Sequence, residues 1–286
     1  MVSGPSFPNR RMASLVLTLA GTGACFVASP VRAEEAIRVG GTGSALGALA
    51  RVGAAMEKEG LGPRVRVLPS VGSTGAIEAV AAGALDVGVS GRPLRDAERG
   101  QGLLALEVAR TPFVFAVGRR AGVSGITTDE LAAIYRGEKL QWPNGQRIRL
   151  ILRPASDVDT ALLRSISPDV EAAVAAAQLR PGMLLAVTNT ECHEILDRSP
   201  GSIGPTSLLQ LRTEPLPAPP LSWNGVAPTL ENLASGRYAL VKPIFLVVRS
   251  RPSPGVRRLL AYLSSPGGRA LLRELGSLPV DFPAPE

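Results

Sequence analysis

The chain has few of the residues from which metal sites and nucleophilic active centres are usually built. It contains two cysteines and one histidine, His193, among its 286 residues. The usual zinc sites need several cysteine and histidine ligands, so these numbers exclude them. A Ser–His triad would have only His193 as its base, and adjacent residues such as Cys192 and His193 usually point in different directions. The sequence therefore predicts no metal, no cofactor and no enzymatic activity.

Aromatic residues and charge clusters are also scarce. Phe, Trp and Tyr make up 4% of the residues, and no Lys/Arg-rich tract with interleaved aromatics is present, which argues against binding to nucleic acid. The formal net charge is +7, and three of the basic residues lie in an acid-free stretch of 33 residues at the N-terminus, so the rest carries 7 − 3 = +4. Hydrophobic residues reach 45%, enough for the core of one large or two medium domains.

The N-terminus has the pattern of a targeting segment. Arg10 and Arg11 precede an apolar run from Met12 to about Ala28, and this run of about 16 residues is short for a membrane span of ~20. Val31-Arg32-Ala33 resembles a small-x-small cleavage signature. We expect residues 1–33 to be a signal peptide and the mature protein to be secreted into the periplasm or another extracytoplasmic space. Lipid anchoring at Cys25 is the alternative.

Strand and helix patterns alternate through the rest of the chain, which indicates an α/β architecture with largely parallel sheets. Two extended apolar segments, Phe113–Val117 and Ile244–Val248, are candidates for two chain crossings between lobes. They divide the chain into lobe I, made of residues 34–116 and 241–286, and lobe II, made of residues 117–240.

Two small-residue loops each follow a strand pattern and precede a helix pattern. The first is Gly41-Thr42-Gly43-Ser44, and the second is Ser70-Val71-Gly72-Ser73-Thr74-Gly75. The first turn of a helix has unpaired N–H donors and a partial positive charge, so such loops can seat a small anion. The alternative is that they are tight turns in which Ser and Thr cap the helices.

Arg153 follows the apolar strand pattern Leu150–Leu152. It is either a surface residue or a ligand-binding residue in a cleft, and the two loops favour the second interpretation. Arg92 is a second cation near the same loops, although an arginine in such a position is more often solvated.

Five motifs, in register, resemble the phosphate-binding proteins of ABC transporters, and the likeness extends over most of residues 36–275. The loop 70–75 is followed by Asp86-Val87-Gly88-Val89-Ser90-Gly91-Arg92-Pro93-Leu94, which resembles the family's D-[FIV]-G-x-S-[DG]-x-P-L turn. Farther along are the helix motif of residues 128–137, Trp142-Pro143-Asn144-Gly145, the strand that carries Arg153, and Pro200-Gly201-Ser202-Ile203-Gly204.

The resemblance implies a type II periplasmic-binding-protein fold, with two lobes, two mixed sheets flanked by helices and a hinge of two crossings. It implies a monomer that binds a small inorganic oxyanion, phosphate, in the interlobe cleft for uptake through an ABC permease, without catalysis. The implied ligand-binding residues are Thr42, Gly43, Ser44, Ser73, Thr74, Gly75, Ser90, Arg153 and Ser156.

Two departures from the family pattern affect this site. Gly91 stands where the family often has an Asp that accepts the proton of hydrogen phosphate. The family's S-G-T after the arginine is replaced by a run in which Ser156 and Thr160 can still donate hydrogen bonds. The same run contains Asp157 and Asp159, and we expect Asp159 to cap the next helix. These changes leave two other interpretations open: a sensing or interaction module that contacts an envelope sensor, and a periplasmic hydrolase.

Overall fold

The computed structural model describes residues 1–4, 36–216 and 220–283. The predicted signal peptide, from residue 5 onward, and Cys25 lie outside this part, as does the middle of the Pro-rich connection at residues 215–220. The described residues from 36 onward cluster as one compact unit.

Eleven strands are present in the described residues, and nine of them form one mixed sheet in the order β2-β1-β3-β10-β4-β8-β6-β7, with β11 also paired to β4. The remaining two, β5 and β9, pair with each other. The strands are β1 Ile37–Gly41, β2 Val65–Val67, β3 Val87–Ser90, β4 Leu103–Val117, β5 Gly125–Ile126, β6 Arg149–Leu152, β7 Leu184–Leu185, β8 Ser202–Ser207, β9 Ser222–Trp223, β10 Val241–Arg249 and β11 Leu278–Pro279.

Helices alternate with these strands. They are α1 Gly43–Lys58, α2 Gly72–Ala81, α3 Asp96–Arg99, α4 Thr128–Arg136, α5 Val158–Arg164, α6 Pro168–Leu179, α7 Asn189–Arg198, α8 Leu208–Thr213, α9 Leu230–Ala234, α10 Pro254–Ser264 and α11 Pro266–Glu274. None of the helices within residues 36–216 and 220–283 is long and apolar enough to cross a membrane.

The predicted α/β architecture is confirmed, with one difference in the sheet. β4 is 15 residues long, and it pairs with β10 along its first part and with β8 along Phe113–Val117. Because one continuous strand serves both regions, the two predicted mixed sheets are joined into one. The sequence has two separate strand patterns here, at residues 106–110 and 113–118, and β4 includes both of them up to Val117. The two predicted crossing segments lie on the antiparallel neighbours β4 and β10.

Two large hydrophobic clusters pack against different parts of this sheet. One is built from buried residues between Phe113 and Tyr238, and the other from residues 37–109 and 244–275 together with Leu209. A smaller cluster around Ile77 and Val80 packs under α2. The assignment of lobes I and II stays a prediction.

Several helix starts follow from local sequence. Thr127 and Glu130 form a capping box at α4, with reciprocal hydrogen bonds of 3.2 and 3.1 Å. Ser253 and Ser265 cap α10 and α11, and each is followed by a proline at the first helical position.

Neighbouring glycines in α11 provide a test of this packing. A Cβ atom on Gly268 would lie 2.0 Å from the Tyr262 carbonyl oxygen, whereas on Gly267 the nearest atom would be 3.9 Å away. Gly268→Ala should lower the free energy of unfolding by about 1–3 kcal/mol through overpacking. Gly267→Ala should leave it unchanged or raise it by up to about 1 kcal/mol. Urea unfolding measures both, and equal effects would contradict the backbone contact.

Candidate functional site

The first loop joins β1 to α1 with its hydroxyls turned inward. Gly41 has φ +143°, and a Cβ there would lie 2.1 Å from the Val89 carbonyl oxygen, so only glycine fits. Thr42 stands at the N-cap position, but its side chain does not cap α1. Its Oγ1 instead donates to Oδ1 of Asn189, at 2.8 Å, and lies 3.0 Å from Oγ of Ser44.

The start of α1 abuts the start of α7. A Cβ on Gly43 would lie 2.6 Å from Oγ1 of Thr190 and 3.3 Å from Cβ of Asn189. The first turns of two helices, with their unpaired N–H donors, therefore meet beside Thr42.

The second loop is tied to the turn that follows β3. The backbone N–H of Gly91 donates to Oγ of Ser73, at 3.0 Å, which leaves the Ser73 hydroxyl proton available for an acceptor. Oγ of Ser90 donates to the Arg92 carbonyl oxygen and accepts from the Arg92 N–H, so this hydroxyl holds the turn itself.

Arg92 also links the two segments. Its Nη2 donates to Oγ1 of Thr74, at 3.2 Å, and its guanidinium makes two 2.8 Å hydrogen bonds to the carboxylate of Glu98. These bonds lower the pKa of Glu98 from 4.5 to about 2. Arg92 therefore acts as a brace between α2 and α3.

Arg153 lies at the end of β6 and is 2% exposed. Its Nε and Nη2 donate to the carboxylate of Asp157, at 3.3 and 2.9 Å, and its Nη1 donates to the Ala186 carbonyl oxygen, at 3.0 Å. Asp157 also accepts from the Asp159 N–H as the N-cap of α5. The prediction that Asp159 caps this helix is thus wrong, because Asp157 has that role.

Burial and the neighbouring Asp159 carboxylate raise the pKa of Asp157, against the opposing effect of Arg153. Burial therefore disfavours the charged form of the Asp157 carboxylate, and the nearby cations Arg153 and Lys242 favour it.

Asp159 forms a completely buried ion pair with Lys242 on β10. The Nζ of Lys242 donates to Oδ1 of Asp159, and the two side chains are 1% and 0% exposed. Nδ2 of Asn189 donates to Oδ2 of Asp159, at 2.5 Å. A buried polar chain thus runs from Thr42 through Asn189 and Asp159 to Lys242.

The structure brings most of the predicted site residues into one buried cluster. Thr42, Ser44 and Asn189 connect to Asp159 by hydrogen bonds, and Asp159 connects to Arg153 through Asp157. The turn after Ser90, whose Gly91 N–H donates to Ser73, adjoins them, because a Cβ on Gly91 would lie 3.0 Å from Cγ1 of Val158 and 3.5 Å from Cε of Lys242.

Other predicted residues lie apart from the cluster, or their side chains bond to backbone carbonyl oxygens. Ser156 is exposed on the turn before α5. Thr160 is buried, but its hydroxyl donates to the Pro154 and Arg153 carbonyl oxygens. Thr74 faces Arg92, and Gly75 lies inside the first turn of α2.

Sequence reasoning missed Lys242 and Asn189. Lys242 is the first of every second residue that is buried along β10, before Ile244 and Leu246, so strand periodicity could have placed it on the buried face. Asn189 follows the N-cap Thr188 and looked like an ordinary helix-start residue.

Cys192 and His193 do not form a nucleophilic pair in the described part of the chain. The Cys192 thiol is buried, it donates to the Pro205 carbonyl oxygen at 3.6 Å, and burial raises its pKa to about 12. Burial lowers the pKa of His193. Residues 36–216 and 220–283 also contain no group of three or more metal-ligating side chains.

Comparison with known proteins gives a consistent result. The model of the "PBP superfamily domain" matches residues 27–266. The phosphate-binding protein PstS of Bacillus subtilis (strain 168) is 27% identical over 216 residues, which cover 73% of this chain and 69% of that protein.

Solved structures share the fold. A putative phosphate ABC transporter substrate-binding protein from Clostridium perfringens, with bound phosphate, is similar at a TM-score of 0.72 and 16% identity, over 86% of this chain and 100% of that one. An ABC-type phosphate transport receptor from Vibrio cholerae is similar at a TM-score of 0.59 and 20% identity, over 85% and 99%.

The Arg92–Glu98 brace predicts a pH-dependent contribution to stability. Glu98→Gln should lower the free energy of unfolding by about 1–3 kcal/mol at pH 7, because it removes a charge-assisted pair. Since folding lowers the pKa of Glu98, the difference from the unmodified protein should be complete above pH 4.5 and vanish as the pH falls toward about 2.

Asp96→Asn, in the same helix, is the control, because the Asp96 side chain is fully exposed in its pair with Arg99. Denaturant unfolding at several pH values measures both variants. A difference for Glu98→Gln that persists at pH 2 would contradict the pairing.

Proposed function

Because the chain belongs to the PBP superfamily, we propose that it is an exported solute-binding protein that binds a small tetrahedral oxyanion, phosphate. The anion binds between the loop 42–44, the turn at Ser73 and Arg153. We further propose that it delivers this anion to an ABC permease.

The observation that carries this proposal is a surplus of hydrogen-bond donors in the buried cluster. The hydrogen bonds of Arg153 engage three of the five N–H groups of its guanidinium, and that of Lys242 engages one of three on its ammonium. The hydroxyl proton of Ser73 is also available. Buried donors need acceptors, and a tetrahedral oxyanion presents acceptor oxygens in several directions.

The surrounding backbone favours the same ligand. α1 and α7 begin side by side at Gly43 and Asn189, and the partial positive charge at a helix start attracts anions. Arg153 adds a planar fork that matches two oxygens of phosphate. Each charge-assisted hydrogen bond contributes about 1.5–3 kcal/mol, so three or four of them are enough for a specific complex.

Access to the cluster requires the chain to open. Thr42, Ser73 and Arg153 are 4%, 8% and 2% exposed. Lobes I and II therefore separate to admit the anion, and the bound anion stabilises the closed state through its contacts with both.

The names of similar proteins support the proposed role in transport. The similar proteins are named as a phosphate-binding protein, a substrate-binding protein of a phosphate ABC transporter and a phosphate transport receptor. These names favour a binding protein that serves the uptake of phosphate by an ABC transporter. They do not favour the interpretation as an interaction module without a ligand.

Calorimetry with phosphate, sulfate, molybdate and tungstate tests the proposal. Phosphate should bind at a ratio of one per chain, because the cluster forms one site. Chloride at the same ionic strength controls for non-specific screening. The absence of heat and of thermal stabilisation with all four oxyanions would overturn the proposal.

Arg153→Ala should weaken phosphate binding at least tenfold, because the planar fork is lost. Arg153→Lys keeps the charge without the fork and should be intermediate. Arg149→Ala is the matched control on the same strand, since Arg149 is exposed at its opposite end. Far-UV circular dichroism establishes that each variant is folded. An unchanged dissociation constant for Arg153→Ala would remove Arg153 from the site.

A further inference from the structure

We propose that Lys242 is a second cation of the oxyanion site. When no anion is bound, the Asp159 carboxylate occupies the anion's position beside Lys242. On binding, the oxyanion takes the position of the Asp159 carboxylate as the partner of Lys242. This inference rests on the proposed function, and it adds a binding residue and an internal competitor to that site.

The position of Lys242 supports its role as a binding residue. It lies on β10, between β3 and β4, at the point where Gly91 follows β3. A Cβ on Gly91 would lie 3.5 Å from Cε of Lys242, so the absence of a side chain at residue 91 leaves room for the lysine stem. The stem of Lys242 thus lies beside the turn that follows Ser90.

Asp159 behaves as a bound anion would. Its carboxylate accepts from Lys242 on one oxygen and from Asn189 on the other, and Asn189 in turn accepts from Thr42 in the first loop. The donors come from α7 and β10, whereas the carboxylate comes from α5. A carboxylate and an oxyanion satisfy donors in the same way, so Asp159 substitutes for the ligand within the protein.

Charge balance makes the two anions competitors. Arg153 and Asp157 form one buried pair, and Lys242 and Asp159 form another, so the four groups sum to zero. Adding an oxyanion beside an unmoved Asp159 would place like charges together in a buried site, which is strongly unfavourable. Exchange at Lys242 lessens this repulsion, because the anion gains the cation and the displaced Asp159 carboxylate moves away from the anion.

Asp159→Asn tests the competition, since it keeps the size of the side chain and removes its charge. We expect phosphate to bind at least tenfold more tightly. Without phosphate the variant should melt at a lower temperature, because Lys242 is left buried without a counterion. Adding phosphate should raise the melting temperature of the variant by more than it raises that of the unmodified protein.

Lys242→Met tests the cation. It leaves the Asp159 carboxylate without its counterion, so the variant should also melt at a lower temperature. Phosphate should not restore the melting temperature and should bind at least tenfold more weakly. The double variant Asp159→Asn/Lys242→Met removes both charges and should fold normally, with a smaller response to phosphate than Asp159→Asn alone. Asp169→Asn, which breaks an exposed pair with Arg136, is the control and should respond as the unmodified protein does.

The outcomes separate this inference from the proposed function. If no variant and no unmodified protein binds phosphate, the proposed function fails. If the unmodified protein binds phosphate and both single variants bind it equally well, the exchange at Lys242 is wrong. Weaker phosphate binding in Asp159→Asn, with unchanged sulfate binding, would also overturn the exchange, because Asp159 would then accept the proton of the ligand.

Discussion

The buried ion pair of Asp159 and Lys242 is the interaction on which the arrangement of the site depends. Burying two charges costs several kcal/mol each, and only close pairing with additional hydrogen bonds offsets that cost. Here Asn189 supplies the additional bond and extends the pair to Thr42. One polar chain therefore fixes how α5, α7, β10 and the first loop meet.

This chain of contacts also explains why the site is built from small residues on one side and charged residues on the other. Gly41 and Gly43 allow the first loop to approach β3 and α7 more closely than any side chain would permit. Gly91 makes room for the stem of Lys242. The glycines thus bring backbone donors and a cation into the same small volume, where a ligand with several acceptor oxygens can bond to all of them.

Local chemistry made much of the fold predictable. The capping box of Thr127 and the serine caps of α10 and α11 depend only on residues three positions apart, so the local sequence specifies them. The site was only partly predictable. Arg153 could be found because it ends an apolar strand, but the roles of Asp157 and Asp159 depend on which of them faces Lys242, more than 80 residues away. Such pairings follow from sheet order, which local patterns do not specify.

The position of β10 in the sheet has a consequence for how the protein is made. β3 and β4 are not neighbours, because β10, near the end of the chain, is inserted between them. The first hundred residues therefore cannot complete their sheet until residues 241–249 have been synthesised. Contacts across so long a stretch of sequence form slowly, so the pairing of β10 with β3 and β4 is a late step in folding.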